Sequence, residues 1–378
     1  MARPAESIED LKESREFLNP ANRPAEIQAL VDTSFEKLVA QNQEWCTNGR
    51  DTYVGNLGIN DLKLALEIIQ KGIQRGQKEF IFFDLGAGNF QWGRSLAKTI
   101  QQNFSHANIT VTIVSVTGER YDIKMIQQDV PWIVLHEIDA FKVEDLLKEL
   151  LKRGLNLEDQ VDLLVSSFCL LHLIDPLGTV SQSLNLLKPN TGVLLSNGCH
   201  LNINVGSEKK LSGSRYPTFA KLLYMMKLPF IIAKSNNYAF MVQRNNQAPC
   251  QIPVSYGDVE EDGYISYCMD TKSFDTLLSG FEVREIPMPN QNPFTCGSSV
   301  GEAPDLVVMA QGEQYFSKHE EGSTLLGQFD RYCQTINGNK VEPSLLSQFD
   351  NYREESWREH HARSMQPVLQ EIGLRAKS

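Results

Sequence analysis

The chain has 378 residues and a formal net charge of −11 at pH 7. Its length predicts one large domain with additions, and 41% apolar with 22% charged residues is ordinary for a globular protein. Binding to a nucleic-acid duplex would require a basic patch, and no long cluster of Lys and Arg occurs. We therefore do not expect nucleic acid to be a partner.

The cysteines and apolar runs predict the compartment. Seven cysteines are scattered without a Cys-x-x-Cys pair, which favours a reducing compartment over a disulfide framework or a zinc site. The N-terminus is polar and acidic, so no signal peptide is visible. The longest apolar run, 222–233, is interrupted by Lys227 and Pro229 and is too short to span a bilayer. We expect a cytoplasmic protein without a membrane span.

Two helices are predicted before the first strand. From Pro24 onward, apolar residues recur at helical spacing, and a second helix is predicted over about 60–74. Together with the charged residues 1 to about 20, they suggest an N-terminal helical cap over 1–78.

From Glu79 the pattern alternates between strands and helices. The candidate strands are 79–84, 109–116, 132–138, 161–167 and 192–196, and the candidate helices are 91–104, about 119–129, 143–152 and 176–187. The last helix has Asp175 as its N-cap and Pro176 at its first position. Such alternation predicts an α/β fold with a doubly wound, mostly parallel sheet, for which we expect seven strands.

The alternation breaks after Gly198 and returns near residue 270. The segment 199–269 is rich in Asn, Met and aromatic residues and is too long for a plain loop, so we predict an inserted lid or substrate subdomain. The core is then 79–198 with 270–312. A helical tail is predicted over 313–378, with the motif LLxQFDxY occurring twice. Two copies are too few for a solenoid, and two similarly packed helices, or a surface for a protein partner or a homodimer, remain open.

The stretch 80–93, FIFFDLGAGNFQWG, predicts a buried strand, a tight turn and the start of a helix. Gly86 and Gly88 lack a Cβ, so the backbone can turn sharply and a ligand can approach it. Asp84 closes the strand at the carboxyl edge of the sheet, where open α/β folds bind ligands. Taken alone, the pattern fits a plain connection as well as a ligand-binding turn.

Four motifs in order resemble the class I S-adenosylmethionine-dependent methyltransferases. They are DLGAG, IDAF, VDLLVSSFCLLHLIDP and LLKPNTGVLLSNG, and the resemblance covers 79–200 well and 270–312 more loosely. It implies a Rossmann-like fold and S-adenosylmethionine as the cofactor. The cofactor-binding residues implied are those of the glycine turn at the methionine end, those of IDAF at the adenine, and two residues after the fourth strand: Asp84, Gly86, Ala87, Gly88, Asp139, Ala140, Phe141, Ser167 and Phe168.

Two positions depart from the family pattern. Phe90 stands where the family has a third glycine. Ser115 stands at the end of the second strand, where an acidic residue would hold the ribose hydroxyls. Glu119, four residues further on, is the candidate for that role.

The acceptor is less defined by the sequence than the cofactor. His172 lies where phenolic O-methyltransferases place a catalytic histidine, and His200 follows the fifth strand; either can be a general base or a structural residue. The motif after the fourth strand lacks Asn/Asp-Pro-Pro-Tyr, and a paired-glutamate loop is not visible. We therefore expect a small molecule or a protein side chain as the acceptor, and no metal site.

Two other classes of function remain as alternatives. The missing ribose acid and Phe90 favour a catalytically silent methyltransferase-like protein that serves binding or interaction, whereas Asp84, the glycine turn and Asp139 favour the enzyme. A dinucleotide-dependent oxidoreductase is weaker, because LGAGNFQWG lacks the Gly-x-Gly-x-x-Gly spacing.

Overall fold

The computed structural model describes the chain in segments separated by gaps. These segments are 17–41, 61–87, 90–116, 132–135, 143–166, 169–170, 173–197, 202–205, 209–212, 222–223, 226, 228, 230–234, 238–244, 251–261, 263–269, 284–286 and 306–309. The predicted C-terminal tail with its two LLxQFDxY motifs, and the predicted helix over about 119–129, lie outside the described residues.

Five α-helices lie in these segments, after a 3-10 turn at Pro20–Asn22. The predicted bounds 91–104 and 143–152 are confirmed. The predicted helices over about 60–74 and 176–187 each differ from the structure by one residue at one end, and the helix predicted from Pro24 onward begins at Ala25. The helices are α1 (Ala25–Gln41), α2 (Asp61–Gln74), α3 (Gln91–Phe104), α4 (Val143–Lys152) and α5 (Pro176–Leu186).

Thirteen strands lie in the described segments and form two sheets. They are β1 (Glu79–Leu85), β2 (Thr110–Val116), β3 (Trp132–Leu135), β4 (Leu163–Ser166), β5 (Val193–Asn197), β6 (Asn202–Val205), β7 (Lys209–Ser212), β8 (Phe230–Lys234), β9 (Tyr238–Gln243), β10 (Ser255–Val259), β11 (Ile265–Met269), β12 (Arg284–Ile286) and β13 (Leu306–Met309).

The main sheet has nine strands, in the order β12-β13-β8-β9-β5-β4-β1-β2-β3. The five strands β5, β4, β1, β2 and β3 are parallel, which confirms the predicted α/β core. The other four join by antiparallel pairing. The prediction of seven strands is therefore wrong for this sheet, since half of its strand pairings are antiparallel and extend it beyond β5.

The segment predicted as an inserted lid contributes to both sheets. Strands β8 and β9 form an antiparallel pair, and β9 pairs with β5 from Asn197↔Ala239 to Val193↔Gln243. They lie in the main sheet because a hairpin of apolar strands can satisfy the free edge of β5. A separate four-stranded sheet, β10-β11-β6-β7, contains the remaining strands of the segment. The predicted segment 199–269 thus does not lie wholly apart from the core.

One face of the main sheet packs against α4 and α5. Apolar side chains of alternate positions in β1, β2, β4 and β5 belong to one buried cluster with side chains from these two helices. The cluster includes Phe83, Leu85, Val114, Val116, Leu164, Leu194, Leu146, Leu150, Leu177 and Leu184.

The opposite face packs against α2 and α3, which contact each other. A Cβ at Gly72 of α2 would come within 2.3 Å of the Phe80 ring, so a glycine is needed for this close approach of helix and strand. Phe80, Phe82 and Asp84 alternate along β1 and therefore point to this same face. Helix α2, predicted as part of a cap, is thus one layer of the α/β core.

The Lys188–Gly192 turn fixes the entry to β5. Lys188 Nζ lies 2.8 Å from Oδ2 of Asp162, and the same oxygen accepts a hydrogen bond from the Ile81 N–H at 2.8 Å. A Cβ at Gly192 would lie 2.5 Å from the Lys188 nitrogen, so this position requires glycine. The Lys-Pro-x-x-Gly motif thus ties β1, β4 and β5 together at the amino edge, opposite the site described below.

Candidate functional site at the carboxyl edge of the sheet

The chain reverses its direction of winding between β1 and β4, which are neighbours in the sheet. From β1 the chain continues to β2 on one side, and from β4 it continues to β5 on the other. In open α/β sheets a crevice forms at the carboxyl ends of two such strands and is the common place for a ligand. Buried polar residues lie in the last two positions of β1, β2 and β4, namely Asp84, Ser115 and Ser166.

The turn after β1 has the tight backbone that its glycines predicted. Gly86 has a φ of +79°, and a Cβ there would lie 2.7 Å from Cβ of Cys169. The Ala87 N–H donates to the Val116 carbonyl oxygen at 2.7 Å, which fastens the turn to the end of β2. A side chain at Gly86 is thus excluded twice, by the backbone conformation and by the neighbouring Cys169.

Phe90 adopts a backbone conformation that usually belongs to glycine. Its φ of 65° and ψ of 24° are left-handed, and it is the N-cap of α3. Its N–H donates to the Ala87 carbonyl oxygen at 2.8 Å, while its side chain is fully buried. Phe90 thus keeps the left-handed backbone conformation that a glycine would adopt at this position, and only the side chain differs.

Asp84 is a buried carboxyl group next to this turn. It is 3% exposed, and its Oδ2 has no hydrogen-bond partner among the described residues. Burial and, to a smaller extent, the Asp61 carboxylate raise the pKa of Asp84 from 3.8 to about 8. A carboxylate in such a position is suited to a positively charged ligand group that would replace the water it has lost.

Asp61 is a buried acidic residue near Asp84 that the sequence patterns did not identify. It is the first residue of α2, is fully buried, and its Oδ1 accepts a hydrogen bond from the Leu62 N–H at 2.7 Å. An acidic residue in the first turn of a helix is usually an exposed partner of the helix dipole. The sequence held no sign that this one lies next to Asp84.

The end of β4 lies beside the turn. The Ser196 hydroxyl of β5 donates to the Ser166 carbonyl oxygen at 2.7 Å, which joins the two strand ends. The Ser166 Oγ is buried and has no hydrogen-bond partner among the described residues. Cys169, a half-buried cysteine that forms no disulfide with a described residue, lies beside the turn at Gly86.

The start of α5 is held by a buried network around Asp175. The predicted N-cap is confirmed, because Asp175 Oδ1 accepts from the Gly178 N–H at 2.9 Å. Arg23 Nε and the Tyr256 hydroxyl both donate to Oδ2, at 2.7 and 2.6 Å, and the Tyr267 hydroxyl donates to Oδ1 at 2.9 Å. This network connects the N-terminal segment and the second sheet to the helix that follows β4.

The two tyrosines of this network are held in their protonated form. Burial, and then the Asp175 charge, raise the pKa of both Tyr256 and Tyr267 well above 10. Both hydroxyls therefore keep their hydrogen and donate to Asp175 at neutral pH. Two neutral tyrosine hydroxyls and the Arg23 guanidinium group thus donate hydrogen bonds to the Asp175 carboxylate.

Most of the remaining predicted site residues lie outside the described residues. Asp84, Gly86 and Ala87 lie in the described turn at the end of β1, and their part in cofactor binding stays a prediction. Outside the described residues lie Gly88, Glu119, Asp139, Ala140, Phe141, Ser167, Phe168, His172 and His200, for which the sequence-based roles stay predictions.

Two other kinds of feature are absent from the described segments. Within them, no group of three or more His, Cys, Asp or Glu side chains is placed to hold a metal ion. Among the helices of these segments, none combines the length and the apolar character that a bilayer crossing requires.

Among known proteins, the chain is similar to a set of solved structures. No family model and no curated protein matches the chain. Many of the similar solved structures are class I S-adenosylmethionine-dependent methyltransferases. The carbon methyltransferase DszA is 10% identical, with 49% of this chain and 53% of that chain aligned and a TM-score of 0.31. The aligned region thus spans about half of that protein.

Two further structures align over more of their own length. A protein from Listeria monocytogenes described as a class I S-adenosylmethionine-dependent methyltransferase is 13% identical, with 58% of this chain and 71% of that chain aligned and a TM-score of 0.32. A protein from Galdieria sulphuraria described as a sarcosine dimethylglycine methyltransferase is 10% identical, with 56% and 100% aligned and a TM-score of 0.34. All three TM-scores are below 0.5, so these similarities leave the function of this chain open.

Proposed function

We propose that the chain is an S-adenosylmethionine-dependent methyltransferase that acts on a small molecule or a protein side chain. The observation that carries the proposal is the buried Asp84, which lies beside the Gly86 turn where β1 and β4 end. Its Oδ2 accepts no hydrogen bond from any described residue. The order of the motifs DLGAG and IDAF along the chain adds support from the sequence.

The residues present fit the cofactor in charge and in shape. S-adenosylmethionine has a sulfonium and an α-ammonium group, and the buried carboxyl group of Asp84, which is protonated below its raised pKa of about 8, would ionise against one of these cations. The positive φ of Gly86 turns the chain away from the end of β1, and the Ala87 N–H fixes that turn against β2. The cofactor would supply an activated methyl group, so the protein mainly has to bind and orient both reactants.

The adenine and ribose are assigned to residues predicted from the sequence. In this proposal Asp139, with Ala140 and Phe141, binds the adenine, and Glu119 binds the ribose hydroxyls. Asp139→Ala should then weaken cofactor binding by about 1–3 kcal/mol, the range for loss of a hydrogen-bond partner at a buried site. A folded variant with unchanged affinity would contradict the adenine assignment.

The acceptor is proposed to bind under the segment 199–269. Its second sheet is joined through Tyr256 and Tyr267 to Asp175, at the start of the helix that follows β4. His172, in the chain just before Asp175, and His200, just after β5, are the proposed general bases for a hydroxyl acceptor. If His172 has this role, His172→Ala should lower the transfer rate by about 10²–10⁴ and leave cofactor affinity unchanged.

The first experiment is titration calorimetry with S-adenosylmethionine, S-adenosylhomocysteine and NAD. Binding of the first two without NAD is the expected result, and Asp84→Asn should abolish it. The exposed Asp32→Asn of α1 is the matched control for the loss of one acidic group. Binding of NAD alone would overturn the proposal. Cofactor binding without methyl transfer to any of a broad set of acceptors would favour a catalytically silent binding protein.

A further inference from the structure

The N-terminal segment 17–31 connects α5 with the second sheet. The Leu18 N–H donates to the Ile252 carbonyl oxygen at 3.0 Å, shortly before β10, and the 3-10 turn that follows Leu18 contacts α5. Helix α1, which comes next, contacts β10. Among the described strands, β10 pairs with β11 and lies at an edge of the second sheet. The segment therefore reaches from a helix of the main sheet to the edge of the other sheet.

This segment is anchored by apolar side chains only towards its two ends. Leu18 at one end and three apolar residues of α1 at the other belong to the large buried cluster. Six of the eight residues 19–26 between them are exposed. The Arg23 side chain is the exception, because it is 3% exposed and its Nε lies 2.7 Å from Oδ2 of the buried Asp175. A charged group is thus the buried anchor of a stretch that otherwise lies at the surface.

The carboxylate that binds Arg23 also holds the second sheet. The Tyr256 hydroxyl of β10 donates to the same Oδ2 of Asp175 at 2.6 Å, and the Tyr267 hydroxyl of β11 donates to Oδ1 at 2.9 Å. The centroids of the two tyrosine rings are 6.1 Å apart. Because Arg23 and Tyr256 share one oxygen atom, loss of either donor changes the hydrogen bond that the other makes.

A buried ion pair such as Arg23–Asp175 does little for stability alone. The cost of removing both charges from water largely cancels their attraction, and apolar residues of similar volume often stabilise a fold as well or better. Separation of the two partners inside the protein is strongly unfavourable, because each would stay buried without a counter-charge. The segment is therefore either docked with the pair formed or released with both charges in water.

Helix α5, which the segment contacts, buries polar side chains as well as apolar ones. Nine of its eleven residues are buried, and they include Thr179, Ser181 and Ser183. The Thr179 Oγ1 has no hydrogen-bond partner among the described residues. Burial of hydroxyl groups lowers the free energy gained by covering the helix. The cover over α5 is thus held less firmly than a fully apolar one would be.

We propose that residues 17–31 form a strap that closes the second sheet over the start of α5, with the Arg23–Asp175 ion pair as its latch. When the latch opens, the strap and strands β10 and β11 loosen together while the parallel strands stay folded. Helix α5 follows β4 and so starts at the carboxyl edge of the main sheet. The strap thereby regulates access to the edge at which the candidate site lies, whatever ligand binds there.

The test is hydrogen exchange followed by mass spectrometry, on the full chain without ligand. Arg23→Met keeps a long unbranched side chain and removes its charge. It should speed exchange roughly 100-fold in peptides from the strap and from β10 and β11, and less than about 3-fold in peptides from β1 and β4. Arg23→Lys restores a cation and should give rates between those of Arg23→Met and the wild-type protein.

Two further variants separate the latch from a general loss of stability. Lys188→Met is the matched control, because it removes the cation of the Asp162–Lys188 pair at the opposite edge of the sheet. It should not speed exchange selectively in the strap, β10 and β11. Tyr256→Phe removes one hydroxyl from the latch and should speed exchange roughly 10-fold in the same peptides as Arg23→Met. It provides the test if Arg23→Met folds poorly.

Three results would overturn the strap. Equal acceleration in all peptides of Arg23→Met and Tyr256→Phe would mean that the network only adds to global stability. Acceleration confined to the strap would mean that it has no hold on the second sheet, and unchanged exchange in both variants would mean that there is no latch. The experiment needs no cofactor, so absence of S-adenosylmethionine binding would end the proposed function and leave this result as it is.

Discussion

Tyr267 of β11 donates its hydroxyl hydrogen to Oδ1 of Asp175 at 2.9 Å, although 92 residues separate the two in the chain. Both are almost completely buried, and the Leu177 N–H donates to the same hydroxyl oxygen at 3.3 Å. The hydroxyl therefore joins the second sheet to the first turn of α5 in two ways. Stability of this region depends on a contact between distant parts of the chain.

Removing the carboxylate at the centre of this network should be costly. Asp175→Ala is expected to lower the free energy of unfolding by about 3–5 kcal/mol, because Arg23 stays buried without its carboxylate and two tyrosine hydroxyls lose their acceptor. Urea unfolding measures the change, with Glu158→Ala, an exposed acidic position, as the control. A loss no larger than in that control would contradict a stabilising role of the network.

The glycine turn offers a direct comparison of strain and crowding. Gly86→Ala meets both a φ of +79° and a Cys169 Cβ at 2.7 Å, whereas Gly76→Ala meets a φ of +83° with no atom within 4 Å. We expect Gly76→Ala to cost about 1–2 kcal/mol for the left-handed backbone alone, and Gly86→Ala about 1–3 kcal/mol more for crowding. Thermal unfolding of both variants is the measurement. Equal costs would mean that Cys169 moves aside freely.

Phe90 allows the left-handed backbone to be tested separately from its ring. Phe90→Ala and Phe90→Gly both remove the buried ring, so each should lose about 3–5 kcal/mol of stability. The glycine variant should nevertheless be more stable than the alanine variant by about 1 kcal/mol, since glycine adopts a φ of 65° without strain. The opposite order in urea unfolding would show that the turn changes its conformation in the variants.

The empty protein should lose stability as the pH rises, because of Asp84. Its folded pKa of about 8 lies above the unfolded value of 3.8, so between these values folding takes up a proton. This contribution is fully present below about pH 4, declines as the pH rises to 8, and is constant above. Asp84→Asn should therefore show a flatter dependence of unfolding free energy on pH between 5 and 8.

The measurement for Asp84 is urea unfolding at several pH values without ligand. Asp32→Asn is the control, because it removes one acidic group from an exposed position and leaves the buried carboxyl group of Asp84 in place. An unchanged slope in Asp84→Asn would contradict the raised pKa. An increase in stability at pH 8 together with lost cofactor binding would show that the site is kept at a cost to the fold.

The local signals predicted the parallel half of the sheet well. Helices α3 and α4 have strong 3.6-residue periodicity, and β1 ends in an Asp and a glycine turn, so their bounds and order follow from neighbouring residues. The partner of β5 could not be predicted in this way. Strands β8 and β9 follow a run broken by Pro229, and nothing in their sequence identifies which edge a hairpin will extend.

The site was predictable only where its residues are close in the chain. Asp84, Gly86 and Ala87 belong to one turn, and the roles proposed for them follow from the spacing of that turn. The position of Asp61 depends instead on how far α2 runs back along β1, and that distance is set by the Gly72–Phe80 contact. The tyrosine hydroxyls at Asp175 likewise come from a sheet whose place could not be inferred from periodicity.

Strand β12 lies at one edge of the main sheet that the described residues form. Strands β8 and β13 carry the apolar sequences FIIAK and LVVM, which would pair readily with a strand of another chain. β12 covers that edge with three residues, Arg284, Glu285 and Ile286. A strand so short and so charged presents few groups for further pairing. Truncating the chain before β12 would remove β13 as well and expose the edge of β8, and is expected to increase sheet-to-sheet aggregation relative to the full chain.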